Sequence, residues 1–208
     1  TALSILRLFG PLDKVEISGE ILFDGVDLLR LSEAELRHIR GRQIAVVFQD
    51  PLTSLNPVMP VGEQIAETLR FHRGLKKPAA KARSEELMEL VGIGEPARRY
   101  GDIPEQFSGG MRQRIMIAIA IACEPKLLIA DEPTTALDVT VQSQVLMLLN
   151  RLRREMGMAL IMISHDLGVI AATCDFAQVM YGGRVMERGH ILDLLDRPNH
   201  PYTAALLR

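Results

Sequence analysis

Two carboxylates, Asp131 and Glu132, stand side by side at the end of the apolar run Leu127-Leu128-Ile129-Ala130. Open α/β sheets bind their ligands beyond the carboxyl ends of such strands. Two neighbouring carboxylates in that place can divide the work. Asp131 can hold Mg2+, usually through water, while Glu132 orients and deprotonates an attacking water. An isolated Asp-Glu pair is more often a solvated acidic loop. Here the four apolar residues before it, and Pro133-Thr134-Thr135-Ala136-Leu137-Asp138 after it, favour chemistry.

A second candidate precedes it in the chain. Ser108-Gly109-Gly110 opens the apolar helix expected over Met111–Cys123. Backbone N–H groups at a helix N-terminus favour a bound phosphate, and glycines let the backbone approach it closely. The serine hydroxyl can donate one more hydrogen bond. His165 follows the next buried strand, between Ser164 and Asp166, and lies one strand along from Asp131-Glu132, so both could reach one γ-phosphate. Gln49 also ends a strand and precedes a loop, a position suited to sensing metal or water. His38, His72, His190 and His200 lack comparable surroundings and are assigned surface or packing roles.

The elements that must hold these residues are legible from pattern. Val15 to Phe23 reads as a strand running into the Asp24-Gly25 turn. Ser32 with Glu35 forms a capping box for a short helix stopping near Gly41. Ile44–Phe48 is a buried strand, and Asp50–Pro60, with three prolines and an asparagine, is loop. Val61, Ile65 and Leu69, then Leu87, Leu90 and Val91, mark two amphipathic helices. Gly74 to Pro78 connects them, and this insert has no strand signals.

Beyond Gly110 the order is helix, strand, helix, strand: a strand at Lys126–Ala130, a helix striped by Val141, Val145, Leu148, Leu152 and Met156, and a strand at Met158–Ile163. A helix (Leu167–Thr173), two strands about Gly182-Gly183 (Ala177–Tyr181 and Arg184–Glu187) and short terminal helices complete the chain. The alternation predicts an α/β domain with a mostly parallel sheet.

Composition excludes some roles. A net charge of -2 gives no bulk attraction to nucleic acid or anionic membrane. The longest apolar run, Ile115 to Cys123, is too short to cross a bilayer, so a membrane role requires a partner protein. Cys123 and Cys174 lack metal-ligand spacing and read as reduced core thiols. The ten methionines read as core filler.

Taken in order, Gln49, Ser108-Gly109-Gly110, Asp131-Glu132, Asp138 and His165 resemble the Q-loop, signature, Walker B, D-loop and H-loop of ABC ATPases. The resemblance covers essentially the whole chain and is carried by five ordered motifs. It implies a P-loop NTPase (RecA-like) core, formed by 1–48 and 118–208, with a mostly parallel sheet and a partial antiparallel β subdomain. A helical insert, 49–117, would hold the Q-loop and end in the signature. By position, Glu132 would be the general base and His165 would contact the γ-phosphate. Asp131 and Gln49 would serve Mg2+. Ser108, Gly109, Gly110 and Gln113 would bind ATP held by a partner ATPase, and Asp138 would link the two sites.

Phe107 and Met111 replace the leucine and glutamine of the common L-S-G-G-Q. With Phe48-Gln49-Asp50-Pro51-Leu52-Thr53-Ser54-Leu55-Asn56-Pro57 and Pro198-Asn199-His200-Pro201-Tyr202-Thr203, this resembles the oligopeptide/dipeptide (or nickel) importer group, D-type subunit. That implies an F-type ATPase partner, two permease subunits docking on residues 50–100, and a peripheral place on the cytoplasmic face of the inner membrane. The alternatives are a non-catalytic partner donating only its signature, or a soluble ABC protein acting on nucleic acid or ribosomes. No G-x-x-x-x-G-K-[ST] phosphate loop occurs in the 208 residues. Thr1 already reads as helix in progress. The chain is therefore expected to be a fragment that neither binds ATP tightly nor hydrolyses it alone.

Overall fold

A computed structural model describes residues 2–10, 14–135 and 137–207. The chain divides into two units, 1–161 and 162–208.

The first unit starts with the single turn α1 (Ala2–Ile5); Thr1, where that helix was expected to begin, lies outside the described residues. Of the strand expected from Val15 to Phe23, only β1 (Leu22–Phe23) forms, antiparallel to β2 (Val26–Asp27) across Asp24-Gly25. A strand persists only where its backbone ladder is shared. The Ile21 N–H instead donates to the Asp27 carboxylate at 3.2 Å. Helix α2 (Glu33–Ile39) carries the expected capping box: Ser32 Oγ accepts from the Glu35 N–H, and the Glu35 carboxylate accepts from the Ser32 N–H at 2.8 Å.

β3 (Ile44–Val47) leads into the proline-rich segment, which is not all loop. One turn, α3 (Pro51–Ser54), forms there, because proline is preset for a first helical position and the Asp50 carbonyl accepts from the Thr53 and Ser54 hydroxyls. Buried Gln64 pins the loop after α3. Its amide accepts from the Asn56 N–H at 3.0 Å and donates to the carbonyls of Asn56 and Met59 at 2.9 and 2.8 Å.

Helices α4 (Val61–Arg73), α5 (Lys77–Leu90) and α6 (Pro96–Arg99) make the helical layer. α4 ends at Gly74, whose φ of +65° a side chain would resist. Val61, Ile65 and Leu69 on α4 and Leu87 and Met88 on α5 are buried, each such side chain contributing roughly 1.5–3 kcal/mol. α7 (Gly109–Ile121) then runs into β4 (Leu127–Asp131), α8 (Val139–Met156) and β5 (Ala159–Ile163). The sheet order is β3-β4-β5, with β3 and β4 parallel and Val47 opposite Ala130. Ile115, Ile117 and Ile121 of α7, Leu128 and Ile129 of β4, and Val145, Leu149 and Leu152 of α8 are all buried core residues.

The second unit holds α9 (Leu167–Thr173), β6 (Phe176–Tyr181), β7 (Arg184–His190), α10 (Ile191–Asp196) and α11 (Pro201–Leu206). β6 and β7 pair antiparallel around Gly182-Gly183, both at positive φ, as a tight hairpin turn demands. β7 is longer than expected and presents Glu187 to the segment before α11. The Glu187 carboxylate accepts from the Asn199 N–H at 2.8 Å and the His200 N–H at 3.1 Å. The neighbouring Thr203 hydroxyl, short of a well-formed hydrogen bond, and then these N–H groups hold the Glu187 carboxyl down to about 2.

A depressed carboxyl stabilises the fold above its ordinary range and loses that contribution as pH falls through its folded value. Amide protection over Tyr202–Leu206, taken relative to the unstructured exchange rate at each pH, should therefore hold down to about pH 4.5 and fall between there and pH 2. Glu187→Gln should show fast exchange at pH 7 already; unchanged protection in that variant would refute the assignment.

Candidate functional site

The parallel register explains how distant residues meet. With Val47 opposite Ala130, the residues two beyond each, Gln49 and Glu132, leave the sheet at the same edge. Gln49 Nε2 donates to Glu132 Oε2 at 3.0 Å. Glu132 itself has φ +49°, a left-handed conformation that costs a residue with a side chain roughly 1–2 kcal/mol. Strain of this kind is characteristic of functional positions.

Pro133 then turns the chain. The Thr135 N–H donates to the Glu132 carbonyl at 3.2 Å, closing a four-residue turn with proline at its favoured second position. That closure brings Thr135 Oγ1 to 2.8 Å from Glu132 Oε2. Thr135 was not among the residues singled out from sequence. Its signal was available in Glu-Pro-Thr-Thr, because a turn begun at Glu132 with Pro133 second must return its fourth residue to the first.

Asp131 is half-buried at the end of β4, and its carboxyl is pushed above the usual range by burial, with the adjacent Glu132 charge adding to the effect. A divalent cation would relieve that penalty, so the residues fit Mg2+. Among the described residues no group of three His, Cys, Asp or Glu side chains could hold a metal. Such a cation would take Asp131 and Gln49 from this chain and most of its oxygen ligands from waters and phosphate, as Mg2+ commonly does.

The Ser-Gly-Gly turn lies at the start of α7, with Ser108 and Gly109 exposed. Ser108 caps that helix, its Oγ accepting from the Met111 N–H at 3.4 Å, so its hydroxyl proton stays available for donation outward. Gly110 has a packing reason to be glycine. A β-carbon there would lie 2.4 Å from Val141 Cγ1 on α8. Asp138 caps α8, accepting from the Val141 N–H at 2.9 Å.

Gln113 departs from expectation. It is 1% exposed, and its Nε2 has no hydrogen-bond partner among the described residues. A side chain turned into the core cannot contact a ligand outside it, so Gln113 is set aside. His165 is exposed in the second unit, directly after β5. The Asp166 N–H donates to Ser164 Oγ at 3.0 Å, and the Asp166 carboxylate accepts from the Gly168 N–H at 2.8 Å, capping α9.

Carboxylates at the edge of a parallel sheet and a Ser-Gly-Gly-capped helix define a nucleotide-binding class of protein. The family model described as ABC transporter matches residues 4–135, and the chain belongs to that family. Among curated relatives, a probable peptide ABC transporter ATP-binding protein of Sinorhizobium fredii is 52% identical over 207 residues, covering all of this chain and 62% of its own length. The oligopeptide transport ATP-binding protein OppD of Haemophilus influenzae is 51% identical over 207 residues, covering all of this chain and 64% of its own. The chain thus spans somewhat under two thirds of the length of these relatives. Among solved structures, a dimeric ATP-binding cassette in a post-hydrolysis state bound to ADP and Pi superposes with a TM-score of 0.76. It is 30% identical, over 91% of this chain and 80% of the other. No helix among the described residues is long and apolar enough to cross a membrane.

Proposed function

We propose that this chain belongs to an ATP-hydrolysing subunit of a peptide importer. The observation that carries the reading is the Glu132 carboxylate, held by Gln49 at the carboxyl edge of the parallel sheet. The peptide and oligopeptide names of the relatives, at 51–52% identity, support the substrate class.

In this reading Glu132 takes a proton from water as its oxygen bonds to the γ-phosphorus and the bridging P–O bond to the β-phosphate breaks. Asp131 and Gln49 would hold Mg2+, which when bound neutralises charge on the phosphates. His165 would donate a hydrogen bond to the γ-phosphate. Ser108 and the amides of Gly109 and Gly110 would grip nucleotide held by a second ATPase subunit, a pairing that the dimeric cassette neighbour supports, and that second subunit would be of the F type. Residues 49–117 would act as the helical subdomain. The loop pinned by Gln64, which leaves Val58 82% exposed, would face two permease subunits. The subunit would then sit peripherally on the cytoplasmic face of the inner membrane.

The test is reconstitution of the full-length ATPase with its partner and permeases in lipid vesicles. Peptide uptake that requires ATP, and ATP turnover stimulated by peptide-loaded binding protein, are the expected results. Turnover without any peptide response would refute the substrate class.

A further inference from the structure

We infer that Thr135 is a positioning residue for the Glu132 carboxylate, a role that rests on Glu132 being the base. Two donors converge on one carboxylate oxygen: Gln49 Nε2 at 3.0 Å and Thr135 Oγ1 at 2.8 Å. They arrive from different parts of the chain, one from beyond β3 and one from the turn after β4. Two anchors of separate origin fix both the direction and the tilt of a carboxylate that a single donor would leave free to swing.

The Thr135 hydroxyl is not needed to build the turn. The backbone closes it, the Thr135 N–H donating to the Glu132 carbonyl, so the hydroxyl is spare for the side chain. Threonine suits the task because its branched β-carbon restricts χ1 and so holds the hydroxyl in one place. Glu132 gains from such an anchor, since at φ +49° its own backbone is held outside the common conformations. Alignment is worth much in such chemistry: a displacement of about 1 Å can cost about a hundredfold in rate.

The experiment uses the full-length ATPase assembled with its partner, measuring ATP turnover, nucleotide binding and thermal melting. Thr135→Val keeps the branched shape and the turn but removes the donor. It should lower kcat roughly 10- to 100-fold while KM for ATP stays within about twofold. Thr135→Ser, which keeps the donor, should recover most of that loss. Glu132→Gln combined with Thr135→Val should be no slower than Glu132→Gln alone, because the threonine acts only through that carboxylate.

An unchanged kcat in Thr135→Val overturns the proposal. So does equal impairment in the Val and Ser variants with a matching fall in melting temperature, or multiplying losses in the double variant. If Glu132→Gln by itself retains full turnover, the assignment of Glu132 as base fails, a result distinct from any failure at Thr135.

Discussion

Glu132→Gln, introduced into the full-length ATPase, is expected to lower ATP turnover by roughly two to four orders of magnitude, the usual worth of a positioned general base. The substitution keeps the shape of the side chain, and a glutamine oxygen can still accept from Gln49 and Thr135, which meet Glu132 at 3.0 and 2.8 Å. What it removes is the ability to take a proton. Nucleotide binding should therefore stay within about twofold, since the interaction lost is one made in the transition state. ATP should accumulate on the enzyme, readable as retained labelled nucleotide after rapid gel filtration. Turnover above a tenth of the parent rate would transfer the base to another group.

The second large effect is structural. Gly62→Ala is expected to destabilise the first unit by about 3 kcal/mol, combining overpacking with a broken, partly buried hydrogen bond. A β-carbon at Gly62 would fall 2.2 Å from Cδ2 and 2.5 Å from Cγ of the rigid Tyr100 ring. The ring is anchored: the Tyr100 hydroxyl donates to Glu63 Oε2 at 2.9 Å, and Arg70 holds the other carboxylate oxygen at 2.6 Å. The first turn of α4 is tied to the same segment, with the N–H groups of Val61 and Gly62 donating to the carbonyls of Asp102 and Tyr100.

Burial, and then the hydrogen bond that the phenol donates to Glu63, push the Tyr100 phenol up to about 12. A raised acid contributes stability that is complete below about pH 10 and is lost as pH climbs toward 12. Alkaline melting of the parent should show that loss, and Tyr100→Phe should not. Gly94, with open space around its Cα, is the control. A Gly62→Ala variant melting within a degree of Gly94→Ala would refute the packing argument.

Much of this architecture could be read from the chain because its signals are local. Ser32 and Glu35 announced their capping box, Leu167–Thr173 its helix, and the apolar runs before Gln49 and Glu132 their buried strands. The two misreadings share a cause, which is that each depended on partners. Val15–Ile21 has strand composition, yet a strand also needs a neighbour's ladder. The proline-rich Asp50–Pro60 reads as loop, yet Pro51 starts a helical turn once the Asp50 carbonyl finds the Thr53 and Ser54 hydroxyls.

The site divides in the same way. Asp131, Glu132 and the Ser-Gly-Gly turn were visible because their chemistry is written in residue type. Burial of Gln113 was hidden, since residue type says nothing about which way one polar side chain on a mostly apolar helix turns. The anchoring by Thr135 was hidden because it depends on the sense of one turn.

Gly110 leaves one more consequence. Its bare Cα lies against Val141, and the space beside Gly109 is taken by Leu137 at 3.7 Å from where a β-carbon would be. The starts of α7 and α8 are thus in contact with no slack between them, each sealed by its own cap, Ser108 on one and Asp138 on the other. Any side chain at position 110 would have to part these two helix starts. The bare position therefore fixes how closely the Ser108 cap and the Asp138 cap approach each other.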